Sequence, residues 1–272
     1  MQNFSASPSE MVTSLWNHRG LIQASVKREV LGRYRGSVFG LFWAFLNPLF
    51  MLAVYTFVFS EVFKARWNVS SDSKTEFALL LFAGLIVFNL FAECINRAPG
   101  LIIANPNYVK KVVFPLETLS FVSMLSALYH TLIGLGVWLL TYAALFGVPH
   151  ITSALLPLVL VPLMLFIMGL SWVLASLGVF LRDISQITGV VTTVLMFLSP
   201  IFYPASAIPE AYRSLLYLNP LTPVIEMTRD LLYWGRLPDW ADLSLYWLVT
   251  SIIACLGFAW FQKTRKGFAD VL

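Results

Sequence analysis

Four ionisable residues fall inside or beside long uncharged stretches of this 272-residue sequence: Glu61, Glu93, Glu117 and His130. Acids and histidines in such places can carry proton or ion relays. An ionised side chain at a helix centre in a bilayer costs about 2.5–3.5 kcal/mol on the insertion scale, so it is kept for function. Their positions argue against a relay here. The three glutamates stand toward the ends of their stretches, and Glu93 has Arg97 four residues on, the helical spacing of an ion pair. His130, beside Tyr129, reads as a hydrogen-bonded packing residue rather than part of a pathway. His18, His130 and His150 show no ligand spacing, and Cys94 and Cys255, far apart in apolar surroundings, read as packing residues. The sequence contains no GxxxxGK[ST] phosphate loop, no HExxH and no nucleophile elbow. No catalytic or metal-binding residue is therefore assigned. The energy for any transport cycle must therefore come from elsewhere.

The elements that carry these residues are set by composition. The chain is 58% hydrophobic and only 12% charged, about half the charge of a soluble domain. That is the signature of an all-α polytopic membrane protein. A span needs about 20 residues to cross a core of about 30 Å. Six apolar stretches meet or approach that length, at Val38–Phe63, Phe77–Ile95, Leu116–Phe146, Leu155–Leu181, Ile187–Phe202 and Leu245–Phe261. The third is long for one crossing and the fifth is short. The opening segment is polar and does not read as a cleavable signal. Lysine and arginine are uneven between alternate sides: twelve on the side of Arg19, Lys110, Arg182 and Arg265, six on the side of Lys64 and Arg236, together all 18. The positive-inside rule then places both termini in the cytoplasm. The net charge of +4 reflects topology, and no basic footprint for nucleic acid is seen.

Residues 1–36 form a segment of their own. Met11, Leu15, Ile22, Val26 and Val30 recur near helical spacing, with basic residues on the other faces and Gly20 as an expected break. This predicts an amphipathic helix in the membrane interface with Trp16 at the headgroups; a cytosolic helix packed on a partner is the alternative. The segment leads into "GRYRGSVFGLFWAFLNPLF" (Gly32–Phe50). Arg33, Tyr34 and Arg35 make a membrane elbow in which the arginines snorkel to phosphates. Pro48 is tolerated where neighbouring helices satisfy the freed carbonyl. Gly32, Gly36 and Gly40, four apart, suit either close helix approach or a flexible elbow.

Three connections are unusual. Residues 97–115 carry "NPNYVKKVVF" (Asn105–Phe114), which predicts two turns of helix capped by Asn105. This is the form of a loop receiving force from a soluble motor, or of a basic loop touching anionic lipid. "FLRDIS" places Arg182 and Asp183 together at the same face, as a membrane-edge anchor or a second partner contact. Residues 203–244 hold "PEAYRSLLYLNP" and "PVIEMTRDLLYWG", each too short to cross and rich in aromatics. They predict a re-entrant hairpin in the outer leaflet.

These features together resemble the ABC-2 type polysaccharide exporter permeases, the transmembrane subunits that export O-antigen, capsule and teichoic acid. The first-span stretch, "NPNYVKKVVFPLE", "FLRDI", "SPIFYP" and "NPLTPVIEMTRDLL" follow the family's order over nearly the whole chain. The resemblance implies a transmembrane domain over residues 37–272, a homodimer, and two copies of a cytoplasmic ABC ATPase that hold the ATP and magnesium, with no cofactor in this chain. It implies an inner-membrane exporter of a lipid-linked polysaccharide. Asn105, Pro106, Tyr108, Lys110 and Lys111, with Arg182 and Asp183, would couple to the ATPase. Tyr203, Tyr212, Tyr217, Glu226 and Arg229 would belong to a periplasmic gate. Phe39, Phe42, Trp43, Phe45 and Tyr55 are the channel candidates, because aromatic faces hold sugar rings while letting them slide; lipid-facing aromatics are the alternative. A permease for a small lipid or drug, and an enzyme acting on a lipid-linked substrate, are the competing functions.

Overall fold

The computed structural model describes residues 7–58, 67, 74–110, 114–210, 212, 216 and 218–272. Every regular element among them is helical. Two helices open the chain, α1 (Pro8–Asn17) and α2 (Arg19–Arg33), followed by α3 (Trp43–Tyr55), α4 (Lys74–Arg97), the short α5 (Pro106–Lys110), α6 (Glu117–Phe146) and α7 (Leu156–Phe180). After these come α8 (Ile184–Leu198), α9 (Leu221–Arg229), α10 (Trp240–Thr264) and a terminal turn, α11 (Phe268–Val271).

Five described helical stretches are long and apolar enough to cross a membrane: Gly40–Val58, Thr75–Gly100, Glu117–Phe146, Ile151–Phe180 and Trp240–Val271. Glu117–Phe146 begins one residue after the sequence-derived bound and ends with it. The last begins five residues before the expected Leu245, because Asp239 caps it: its Oδ1 accepts from the backbone N–H of Ala241 at 2.8 Å and of Asp242 at 3.3 Å. The fifth apolar stretch differs. Ile184–Leu198 has 15 residues, or about 22 Å at 1.5 Å per residue, short of the core. Ser199 has extended backbone that ends the helix there.

The core lies around α4, whose Leu79, Leu80, Leu81, Ala83 and Val87 are almost wholly enclosed. Two buried indoles join helices by donating to backbone carbonyls, Trp138 to Leu79 at 2.8 Å and Trp172 to Glu117 at 3.0 Å. α7 and α10 meet at glycine: a Cβ on Gly257 would lie 2.2 Å from the Gly169 carbonyl oxygen, and one on Gly178 would lie 2.2 Å from that of Pro99. By contrast, a Cβ on Gly32, Gly36 or Gly40 meets nothing within 4 Å. Gly36 and Gly40 hold φ of +83° and +51°, a left-handed backbone that favours glycine. Within the chain, then, none of the three seats a neighbouring helix, and Gly36 and Gly40 bend the elbow.

The amino-terminal segment breaks at His18 and not at Gly20. His18 leaves helical geometry with φ −99° and ψ 16°, while its backbone N–H and Nδ1 both turn back to the Ser14 carbonyl, at 3.1 and 2.7 Å. Gly20 sits inside α2. Ser14, Ile22 and Val30 are buried, and Trp16 is 69% exposed with the Arg19 guanidinium 5.2 Å from its ring.

A buried charge pair ties the ends of the chain together. Arg265 donates to Glu117 Oε2 and to the Phe114 carbonyl, both at 2.7 Å, and Ser14 Oγ donates to Glu117 Oε1 at 2.6 Å. Removing one partner of such a pair leaves an uncompensated charge. Glu117→Ala is therefore expected to lower stability by about 3 kcal/mol, read as the unfolding midpoint in detergent; an unchanged midpoint would refute the linking role.

Candidate functional site

One end of the bundle gathers α1, α2, α5, the start of α6, the loop between α7 and α8, and the chain terminus. α5 covers only Pro106–Lys110, and Lys111 lies outside the described residues. The side-chain cap expected of Asn105 from sequence is not formed. Asn105 Nδ2 donates back to the Leu101 carbonyl at 2.9 Å, and its backbone carbonyl accepts from the Tyr108 N–H at 3.1 Å. Tyr108 stacks on Phe114 with centroids 4.3 Å apart and accepts from Arg28 Nη2 at 3.3 Å. Pro106 and Lys110 are exposed, as are Arg182 and Asp183. A cleft of about 580 Å³ has Asn105, Tyr108 and Arg28 on one side and Ser185, the second residue of α8, on the other. Asn105 and Tyr108 of one connection and Ser185 of the other thus border one surface, which Arg182 and Asp183 do not line.

Above that surface runs a ladder of charge. Arg97 pairs with Glu29 of α2 and lies 3.6 Å from Glu93, while Arg33 pairs with Glu93. The Glu93–Arg97 pair anticipated from sequence is present, but Arg97 makes its shorter bond to Glu29. Arg33, expected to reach lipid phosphate, is instead held by Glu93 and lies 3.4 Å from His130 Nε2. His130 Nδ1 donates to the Ser126 carbonyl at 2.8 Å, leaving Nε2 as the acceptor for Arg33. Tyr34 sits 5.9 Å from the His130 ring, and Arg35 is exposed.

A second cleft, of about 480 Å³, opens between α3, α4 and α6. Trp43, Asn47, Met51 and Tyr55 line its α3 wall, a spacing of four that keeps one helix face turned inward. The five channel candidates therefore divide. Trp43 and Tyr55 line this cleft, whereas Phe39 and Phe42 stand on exposed surface at 55% and 56%. Phe39 lies edge-on to Trp43 at 5.5 Å; Phe42 stacks on Phe45 at 6.1 Å, and Phe45 is packed on the core.

At the far end, α9 is buried along most of its length. Arg229 is 1% exposed. Its guanidinium donates to the carbonyls of Leu80 at 2.9 Å, Pro200 at 2.5 Å and Ile201 at 2.9 Å, and to Glu226 Oε1 at 2.9 Å. The Trp67 ring lies 4.3 Å away. One side chain thereby fastens α4, the turn after α8, and α9. Tyr203 donates to the Phe197 carbonyl at 3.0 Å, and Tyr212 is exposed. Tyr217 and much of "PEAYRSLLYLNP" lie outside the described residues. The Glu117–Arg265 link and the carbonyl contacts of Arg229 were missed from sequence; an arginine in the apolar setting of "VIEMTRDLL" was the available signal for the second.

Five helical stretches long and apolar enough to cross a membrane, packed around α4, mark a multi-pass membrane protein. The chain belongs to the ABC-2 type transporter family, which it matches over residues 20–233. It is 30% identical over 262 residues to the O-antigen export system permease protein RfbA of Myxococcus xanthus, covering 96% of this chain and 98% of that protein. The Klebsiella pneumoniae protein of the same name is 26% identical over 93% of this chain and 95% of its own length. The polysialic acid transport protein KpsM of Escherichia coli is 26% identical over 90% and 93%.

Proposed function

We propose that this chain is the permease subunit of an ATP-driven exporter that moves a lipid-linked polysaccharide, of O-antigen or capsule type, across the inner membrane. The observation that carries this reading is full-length similarity to permeases of both O-antigen and capsule systems. The chain acts as a homodimer with two copies of a cytoplasmic ATPase, which hold the ATP and magnesium. Both termini, residues 97–115 and the Arg182–Asp183 loop face the cytoplasm. α8 and the turn after it complete a sixth crossing, with α9 as part of a re-entrant gate. The amino-terminal helices lie at the membrane interface. The exposed faces of α3 and α8, including Phe50 and Val190, support contact with the second copy.

ATP-driven closure of the ATPases would press on α5. The Arg28–Tyr108 bond and the Glu29–Arg97–Glu93–Arg33 ladder would carry that push to the elbow and to α4. The test is ATP hydrolysis by the permease–ATPase pair in lipid nanodiscs with candidate lipid-linked glycans. Lys110→Glu/Lys111→Glu is expected to reduce glycan-stimulated hydrolysis at least roughly tenfold, about 1.4 kcal/mol of coupling, with the complex still assembled. Full stimulation in the double variant would remove these lysines from coupling. Hydrolysis indifferent to every glycan would favour a small-lipid substrate.

A further inference from the structure

The most enclosed long helix has one open strip, and it is polar. Along α4 the residues exposed between Phe77 and Arg97 are Asn89 and Asn96, with Glu93 half-buried between them. Their spacing, i, i+4 and i+7, puts all three on one helix face, and all three line the cleft between α3, α4 and α6. Asn47 faces them from α3, one residue before Pro48. Among the described residues the side-chain amides of Asn47 and Asn89 make no hydrogen bond, and Asn96 uses only Oδ1, which accepts from Thr192 at 3.0 Å. An amide with no partner is costly against hydrocarbon and is tolerated where it lines a polar cavity.

The charges beside these amides are already committed. Arg33 and Arg97 face Glu29 and Glu93, two cations against two carboxylates. The cleft therefore offers hydrogen-bonding dipoles without net charge from that ladder. Each free amide presents a donor and an acceptor side by side, the complement of a pair of neighbouring hydroxyls. Trp43 and Tyr55 add flat apolar faces on the opposite wall, suited to the C–H face of a sugar ring. Neutral hydrogen bonds are worth about 1 kcal/mol each, enough to orient a chain and too little to hold it in place.

We propose that Asn47, Asn89 and Asn96 form a hydroxyl-binding track for an uncharged segment of the glycan within the cleft between α3, α4 and α6. This rests on the reading of the chain as a polysaccharide permease and adds the residues that contact the sugar. Because Asn96 also meets Thr192, the test uses Asn89 and Asn47.

A host strain lacking its own copy of the permease, but keeping its ATPase and glycan synthesis, would be complemented with this chain. A photo-reactive p-benzoylphenylalanine would be placed at position 89, at 47, or at Leu256, which is 65% exposed on α10. The probe is the host's own lipid-linked glycan, detected on the purified permease after irradiation. Glycan adducts are expected at 89 and 47, roughly tenfold above Leu256. At equal membrane levels, Asn89→Leu is expected to lower surface glycan roughly tenfold, with Asn89→Gln restoring most of it. Adducts at 89 no greater than at Leu256, or wild-type export by Asn89→Leu, would overturn the track and leave the permease assignment standing. Failure of the unsubstituted chain to restore any surface glycan would refute the permease reading, and the track with it.

Discussion

Arg229→Leu is expected to lower the stability of the purified permease by about 3–5 kcal/mol, the range for stripping one partner from a buried charged network. The leucine fills part of the volume but supplies no donor. The carbonyls of Leu80, Pro200 and Ile201 would lose the guanidinium that bonds them, and Glu226 would lose its pair. Arg229→Lys should fall between, because an ammonium keeps the charge but cannot aim a planar fork at several acceptors. Gly84 fits this picture, since a Cβ there would approach Arg229 Nη2 to 2.9 Å. Arg236→Leu is the control: that side chain is exposed, near the Trp234 ring, and should change stability by less than about 0.5 kcal/mol. Unfolding midpoints in detergent decide the matter. A wild-type midpoint for Arg229→Leu would mean the turn after α8 is held by packing alone. A large loss with export retained in the surviving protein would make Arg229 a structural clamp and not a moving part of a gate.

Hydropathy made the long helices legible because each satisfies its own backbone and needs only about 20 apolar residues. Sequence periodicity located the amino-terminal helix, but its break is decided by His18 bonding back to Ser14, a local alternative that outweighs the conformational freedom of Gly20. The Asn105 cap failed for a similar reason: the side chain found the Leu101 carbonyl first. The run of aromatics in the first span does not reveal which of them turn inward. That depends on where α4 and α6 stand, and it selects Trp43 and Tyr55. Glu117 meets Arg265 across 148 residues of sequence, a pairing that no local pattern encodes. Asn89 and Asn96 were equally silent, for an asparagine in an apolar run has meaning only once the surrounding face is known to be closed.

Gly257→Val should cause the other large effect, and through backbone rather than charge. A Cβ at Gly257 would lie 2.2 Å from the Gly169 carbonyl oxygen, and one at Gly169 would lie 2.5 Å from that of Ile253. Neither obstacle is a side chain that can swing away, so α7 and α10 must separate. Overpacking a core costs about 1–3 kcal/mol where side chains absorb it; with backbone on both sides, at least the upper end, about 3 kcal/mol, is expected for Gly257→Ala, and more for valine. Separation would also shift α10 relative to α7, straining the Ser176–Thr264 hydroxyl contact at 2.6 Å and the Arg265–Glu117 pair just beyond it. Gly136→Ala makes the contrast sharp. A Cβ there meets nothing within 4 Å, and alanine in a helix interior is favoured over glycine by about 0.5–1 kcal/mol. The two alanine substitutions should move the melting temperature in detergent in opposite directions. If Gly257→Ala melts with the wild type, the helices have room that this close crossing denies, and the tight α7–α10 contact is not what holds the carboxyl-terminal span in place.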